Sequence, residues 1–222
     1  MATGARIPMH IDPVLTLAQW LSPAYPVGAF AYSHGLEAAV EAGGVRDGAT
    51  LKDWLATVLW HGAGHNDALL LAAAWHAETG AELDRIDASA RAFAASRERL
   101  LESAQQGTAF CIVTGAIWDG GFADYTYPVA IGAAAAREAL PLPLTQAMYL
   151  HAFLSNLVAA GQRLLPVGQT EGQAMLRRLT ARIPALAEAT AKGDLARLSG
   201  TAFLTDIAAM HHETQTTRIF RT

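Results

Sequence analysis

"LTQAMYLHAFLSNLVAAGQRLL", Leu144 to Leu165, is the run that decides the fold. It is too long for an ordinary strand, and its apolar residues fall on nearly every side of a helical projection. Such a segment reads as a helix buried on most sides. It does not read as a membrane span. His151, Ser155, Asn156 and Arg163 interrupt it, and no unbroken apolar run in the chain reaches the ~18 residues a span needs. Pro166 ends it.

Helical spacing continues on both sides of that run. Asp12-Pro13 reads as a helix start, with Asp as the cap and Pro in the first turn, and "VLTLAQWL" follows. Ser33 to Ala42 reads as a second helix, closed by Gly43-Gly44. Thr50 and Asp53 read as a capping pair for a third, whose apolar positions are Leu51, Trp54, Leu55, Val58 and Leu59. Gly62 and Gly64 stop it, and Asn66 reads as the cap of "DALLLAAAWHAE". Ala88 to Trp118 reads as a broken or kinked long helical region, and Asp119 to Pro128 as the clearest internal loop. Shorter helices follow, broken at Ile183-Pro184 and Lys192-Gly193, with a last one over about Thr201 to His211. Nothing alternates with period two, which argues against a parallel sheet and against Rossmann and P-loop folds. The expected fold is all-α. It is one domain over residues 1–222, of about eight to ten helices around a buried central helix, with a short N-terminal segment (1–11) and a C-terminal tail (214–222).

Composition narrows the function. Hydrophobic residues make up 52% and charged residues only 16%, against roughly 25% charged in ordinary globular chains. Alanine accounts for much of the excess. The remainder points to an interface with a second copy or a partner. Net charge is -4 with no Lys/Arg block, so the basic footprint of a nucleic-acid binder is missing. The single cysteine, Cys111, lies in the apolar run "AFCIVTGAIW" and reads as a small buried hydrophobe in a reducing cytoplasm. "MATGARIPMHIDPV" contains no apolar signal-peptide core.

Candidate chemistry is sparse. His61 and His65 are four apart with Asp67 nearby, a spacing that puts two imidazoles on one helix face, but glycines lie between them and the Glu of the zinc-protease pattern is absent. A small metal-dependent hydrolase using His61, His65 and Asp67 is the alternative reading; the bland one is polar residues at a helix end. His211-His212-Glu213 is a second cluster, explained equally well by the dipole at a helix C-terminus. Ser33 precedes His34, but adjacency is not a dyad, and neither a nucleophile elbow nor a phosphate loop is present. No catalytic residue, metal ligand or cofactor is assigned. Two stretches remain. "SPAYPVGAFAYSHGLE", Ser22 to Glu37, is punctuated like a loop yet carries Tyr25, Phe30 and Tyr32. "HHETQTTRIFRT", His211 to Thr222, ends on an apolar pair flanked by arginines. Such a tail docks either on its own domain or on a partner, and a disorder-to-order transition on partner binding is one hypothesis for it.

Those ends, together with "GHNDALLLAAAW" and "DIAAMHHETQTTRIFRT", resemble the UreF family of urease accessory proteins. The resemblance covers essentially the whole chain. It implies an all-helical, cytosolic, homodimeric protein that is not an enzyme. It also implies assembly with UreD (also called UreH) and recruitment of the GTPase UreG. That assembly delivers nickel to apo-urease, whose active-site lysine must be carbamylated, and the family is implicated in modulating the GTPase cycle of UreG. On the same resemblance, the N-terminal turn and the tail are partner-facing. Pro26 and Gly28 fix the turn with Pro23, while Phe30, Tyr32 and Ser33 sit where it enters the next helix. Glu37 lies one helical turn beyond Ser33. Arg218, Phe220 and Arg221 match the family's Arg-x-Phe-Arg ending, and an arginine there suits a carboxylate or phosphate on a partner. Neither an arginine finger nor a metal role for His34 is drawn from it.

Overall fold

Side-chain caps set where the helices begin. In the computed structural model, which describes residues 12–118 and 123–221, Asp12 accepts from the Val14 amide at 2.7 Å and opens α1 (Pro13–Trp20), as the sequence predicts. The expected segment 1–11, residues 119–122 of the expected 119–128 loop and Thr222 lie outside the described residues. The chain continues through a 3-10 turn (Ala29–Ala31), α2 (Leu36–Glu41), α3 (Gly48–His61), α4 (Ala63–His76), α5 (Gly80–Ala92), α6 (Arg97–Ile117) and α7 (Tyr127–Arg137). It ends with α8 (Leu142–Leu164), α9 (Gln169–Thr180), α10 (Ile183–Thr190), a second 3-10 turn (Leu195–Arg197) and α11 (Phe203–His212). Among the described residues there are eleven α-helices, ten of them eight residues or longer, and no strand. The all-α expectation is met.

Three boundaries differ from the sequence reading, each for a local reason. The second helix begins at Leu36, not Ser33, because His34 (φ 56°) and Gly35 (φ 77°) are left-handed and cannot continue a helix. Gly35 also has no room for a side chain: a Cβ would lie 2.5 Å from the Ala209 nitrogen of α11. α3 is capped one turn earlier than Thr50/Asp53. Asp47 accepts from the Thr50 amide at 2.8 Å while Thr50 Oγ1 accepts from the Asp47 amide at 3.1 Å, a reciprocal capping box. Asn66 sits inside the first turn of α4 and does not cap it. Its side chain instead donates to the Ser199 carbonyl at 2.9 Å and accepts from the Ser199 amide at 3.1 Å. The long region Ala88–Trp118 is broken, as expected, between α5 and α6, where Ser96 caps the second helix.

The deepest burial is in α4 and α7. Ala68 to Ala74 and Pro128 to Ala135 are buried without interruption, and these two helices make the most extensive packing contact in the molecule. Small residues let the backbones approach: a Cβ on Gly132 would lie 2.3 Å from the Leu71 carbonyl oxygen. α8 buries Gln146, Tyr149, Leu150, Leu154, Leu157 and Val158 and leaves Leu144, Ala147 and Met148 half-buried. Much of the alanine excess is therefore inside, used for close helix crossing. Cys111 is buried as expected, and burial pushes its thiol up to about 11.

Gly132→Ala forces α4 and α7 apart or distorts one of them. Overpacking of this kind costs about 1–3 kcal/mol. The expected result in thermal unfolding followed by circular dichroism is a fall in Tm of roughly 3–10 °C; an unchanged Tm contradicts the close crossing.

Candidate functional site

Glu37 lies in the first turn of α2 and is 6% exposed. Its two carboxylate oxygens accept from the backbone amides of Ile219 and Phe220, at 2.7 and 2.9 Å. His212, wholly buried at the end of α11, places Nε2 3.3 Å from the same carboxylate and Nδ1 2.7 Å from Glu98 of α6. Arg218 donates to the other Glu98 oxygen at 2.6 Å. Glu213 accepts from the Arg97 amide at 2.7 Å and so adds negative charge at the N-terminus of α6. A buried carboxylate is tolerable only when its lone pairs are taken up. Here a tail from the far end of the chain takes them up.

The tail thus docks on its own domain. Arg221 N–H donates to the Ala31 carbonyl at 2.7 Å. The Phe220 ring is 3% exposed, with the Arg163 guanidinium 4.3 Å above it, and Arg163 also donates to the Phe30 carbonyl at 3.2 Å. Beneath the strap, the N-terminal turn is pinned to α6. Tyr25 hydroxyl lies 2.7 Å from Thr114 Oγ1, and Tyr32 hydroxyl donates to Gln105 at 2.9 Å. These two contacts are why the turn needs tyrosines.

Under the turn is a cavity of about 290 Å³ walled by Tyr25, Tyr32, His34, Arg99, Glu102 and Tyr149 among others. A second cavity, of about 200 Å³, shares His34, Asp67, Arg99 and Ser103 with it. His34 Nε2 is 2.9 Å from both Glu102 and Arg99, and Arg99 also pairs with Glu102. Burial, then the Arg99 charge, pulls the His34 imidazole below its ordinary range. Burial pushes the Glu102 carboxyl up, but Arg99 and His34 outweigh it and hold the group at about 2. Asp67 accepts from Tyr149 at 2.8 Å, and burial pushes it up to about 6.

Of the nine residues singled out at the two ends, Pro26, Gly28, Phe30, Arg218 and Arg221 reach the surface. Tyr32, Ser33, Glu37 and Phe220 are buried and hold the turn and the tail together. Glu98, Arg99, Glu102 and Arg163 were not picked out. Glu98 and Glu102 are four apart on one helix face, a signal the sequence does carry. His212 was noted but read as a helix-end charge, because its partner Glu37 is 175 residues away. The proposed metal trio does not converge. His61 is exposed, His65 lies half-buried beside Asn66, and Asp67, also half-buried, accepts from Tyr149. Among the described residues no three His, Cys, Asp or Glu side chains are placed to hold an ion. Nor, among them, is any helix long and apolar enough to cross a membrane.

Comparison with known proteins follows the same lines. The UreF family model matches residues 45–180. A urease accessory protein UreF of Ruegeria pomeroyi is 54% identical over 209 residues, 94% of this chain and 96% of that protein. Those of Roseobacter denitrificans and Ruegeria sp. TM1040 are 49% and 56% identical, covering 98% and 96% of this chain and 98% and 100% of theirs. The family model leaves out the N-terminal turn and the tail, whereas the full-length relatives span nearly everything.

Asp67 provides a test of the polar wall that the two cavities share. Its folded value of about 6 lies above the ordinary 3.8, so its contribution is fully present below about pH 4 and is lost as pH rises through 6. Asp67→Asn keeps an acceptor for Tyr149 and removes the charge. The variant is expected to be more stable than the parent chain at pH 7.5 by on the order of 1–3 kcal/mol, read as a higher Tm, and to lose that advantage as pH falls below about 4. Parallel Tm profiles across that range contradict the assignment.

Proposed function

This chain belongs to the UreF family of urease accessory proteins, and from that premise we propose that it is a non-enzymatic scaffold of urease maturation. It acts as one domain in the cytoplasm, as a homodimer. It joins UreD/UreH and recruits the GTPase UreG to apo-urease for nickel insertion, and it modulates GTP turnover by UreG. Nickel is cargo in this reading, and no cofactor is held.

One observation supports the reading most: two segments almost two hundred residues apart are locked into a single surface. Phe30, half-exposed on the turn, lies close to the strap that carries Arg218, Ile219 and Arg221. The buried residues Tyr32, Ser33, Glu37 and Phe220 hold that surface in place, while Pro26, Gly28, Phe30, Arg218 and Arg221 meet the partner. A surface ordered in advance loses less entropy on docking. Its mixture of aromatic, aliphatic and arginine side chains is typical of interface anchors.

The test is an affinity capture with the full chain, a version ending at Thr214 and Phe30→Asp, with partners identified by mass spectrometry and metal counted on each bait. The full chain is expected to hold UreD- and UreG-type proteins, and both variants to hold roughly tenfold less or worse. Undiminished capture by the truncated chain removes the tail from the docking surface. If the full chain captures neither protein and carries one metal ion per chain, the scaffold reading is overturned.

A further inference from the structure

The larger cavity beneath the N-terminal turn is built like a binding site. Its rim is the turn itself, where Pro23, Ala24, Pro26 and Phe30 are exposed, so the cavity is reached from the surface. Its walls are aromatic. Tyr25, Tyr32, Tyr127, Tyr149 and Phe153 line it, with the Tyr127 and Tyr149 rings 5.6 Å apart between centroids. At about 290 Å³ it stands at the lower end of small-molecule pockets. His34 belongs to the same wall. Its backbone is left-handed (φ 56°), and its Nδ1 is buried without a hydrogen-bond partner among the described residues. Left-handed backbone at a non-glycine residue and an unsatisfied buried polar atom are both unfavourable, and both gather at sites with a function.

Charge selects the ligand. Besides the tyrosines, the ionisable groups that line the cavity are His34, Asp67, Arg99 and Glu102. Arg99 pairs with Glu102, so those two charges cancel, and His34 Nε2 lies against the same pair. Asp67 accepts from the Tyr149 hydroxyl at 2.8 Å, and among the described residues no cation is paired with it. Burial raises this carboxyl to about 6 even though the Arg99 charge opposes the rise. Asp67 is therefore ionised at pH 7.5 and leaves the wall net negative. Asp206 lines the second cavity and carries the same sign. An anion is repelled by such a wall, and a neutral ligand leaves its charge unanswered. A positive group answers it, and aromatic rings attract that charge through their quadrupole.

We infer that this cavity binds a small organic cation, an alkylammonium or guanidinium compound, with its charge on Asp67 and its carbon skeleton against the tyrosines. The scaffold role does not depend on this site, and the two fail separately. The test is an NMR titration of the isotope-labelled full chain at constant ionic strength with n-butylammonium, n-butanol, butyrate and magnesium chloride. At pH 7.5 n-butylammonium is expected to shift the amides of His34 and Arg99 and to bind at least roughly tenfold more tightly than n-butanol or butyrate. Its affinity is expected to fall roughly tenfold in Asp67→Asn, and also in the parent at pH 5, where Asp67 takes up a proton. A control on the exposed face of α3, Asp53→Asn, binds as the parent does. Circular dichroism checks the folding of the variants, and the comparison of probes and of the two pH values on the parent stands without them. Equal affinity for n-butylammonium and n-butanol, unchanged binding in folded Asp67→Asn, or the same shifts produced by magnesium overturns the inference.

Discussion

The carboxylate of Glu37 is the interaction on which the candidate surface depends. It is buried in the first turn of a six-residue helix and receives two backbone amides from the last residues of the chain, with His212 alongside. Hydrogen bonds to a charged group contribute about 1.5–3 kcal/mol each, and a buried carboxylate stripped of partners costs more than that. The dependence therefore runs both ways. Without Glu37 the tail has no acceptor for its amides, and without the tail α2 begins on an unsatisfied charge. Glu98 extends the same logic to α6, where it meets both His212 and Arg218.

The proposed scaffold role needs a surface that is ordered without a substrate or a metal to organise it. Here the organising force comes from the helical core. α4 and α7 cross closely through alanine and glycine, and α6 receives the tyrosines of the N-terminal turn. The turn is therefore fastened to a long helix, and the tail is fastened to the turn. The exposed apolar groups lie chiefly on the outer faces of α1, α6 and α11 and at Phe30 and Ile219, not in the core.

The helices were largely legible in the sequence because their signals are local. Asp12-Pro13, the apolar spacing from Leu51 to Leu59 and the prolines around α8 each act within a turn or two of helix. The misread boundaries, at Ser33, Thr50 and Asn66, had competing local signals or a partner elsewhere. Asn66 looks like a cap until Ser199 arrives from 133 residues away. The candidate surface was legible in its ends and not in its joints. Phe30 and Arg218 stand out as residue types, and the family resemblance gathered them. That Glu37 faces the Ile219 and Phe220 amides, or that His212 stands between two glutamates, is a product of the tertiary fold and leaves no periodic trace.

Amide hydrogen exchange at Ile219 and Phe220, measured by NMR on the isolated chain and on Glu37→Gln, tests this dependence most directly. The account requires both amides to be protected in the parent without any partner present. It requires them to exchange roughly 10- to 100-fold faster in Glu37→Gln, the equivalent of losing a charge-assisted bond at each amide. Exchange at random-coil rates in the parent, or equal protection in the two proteins, contradicts it.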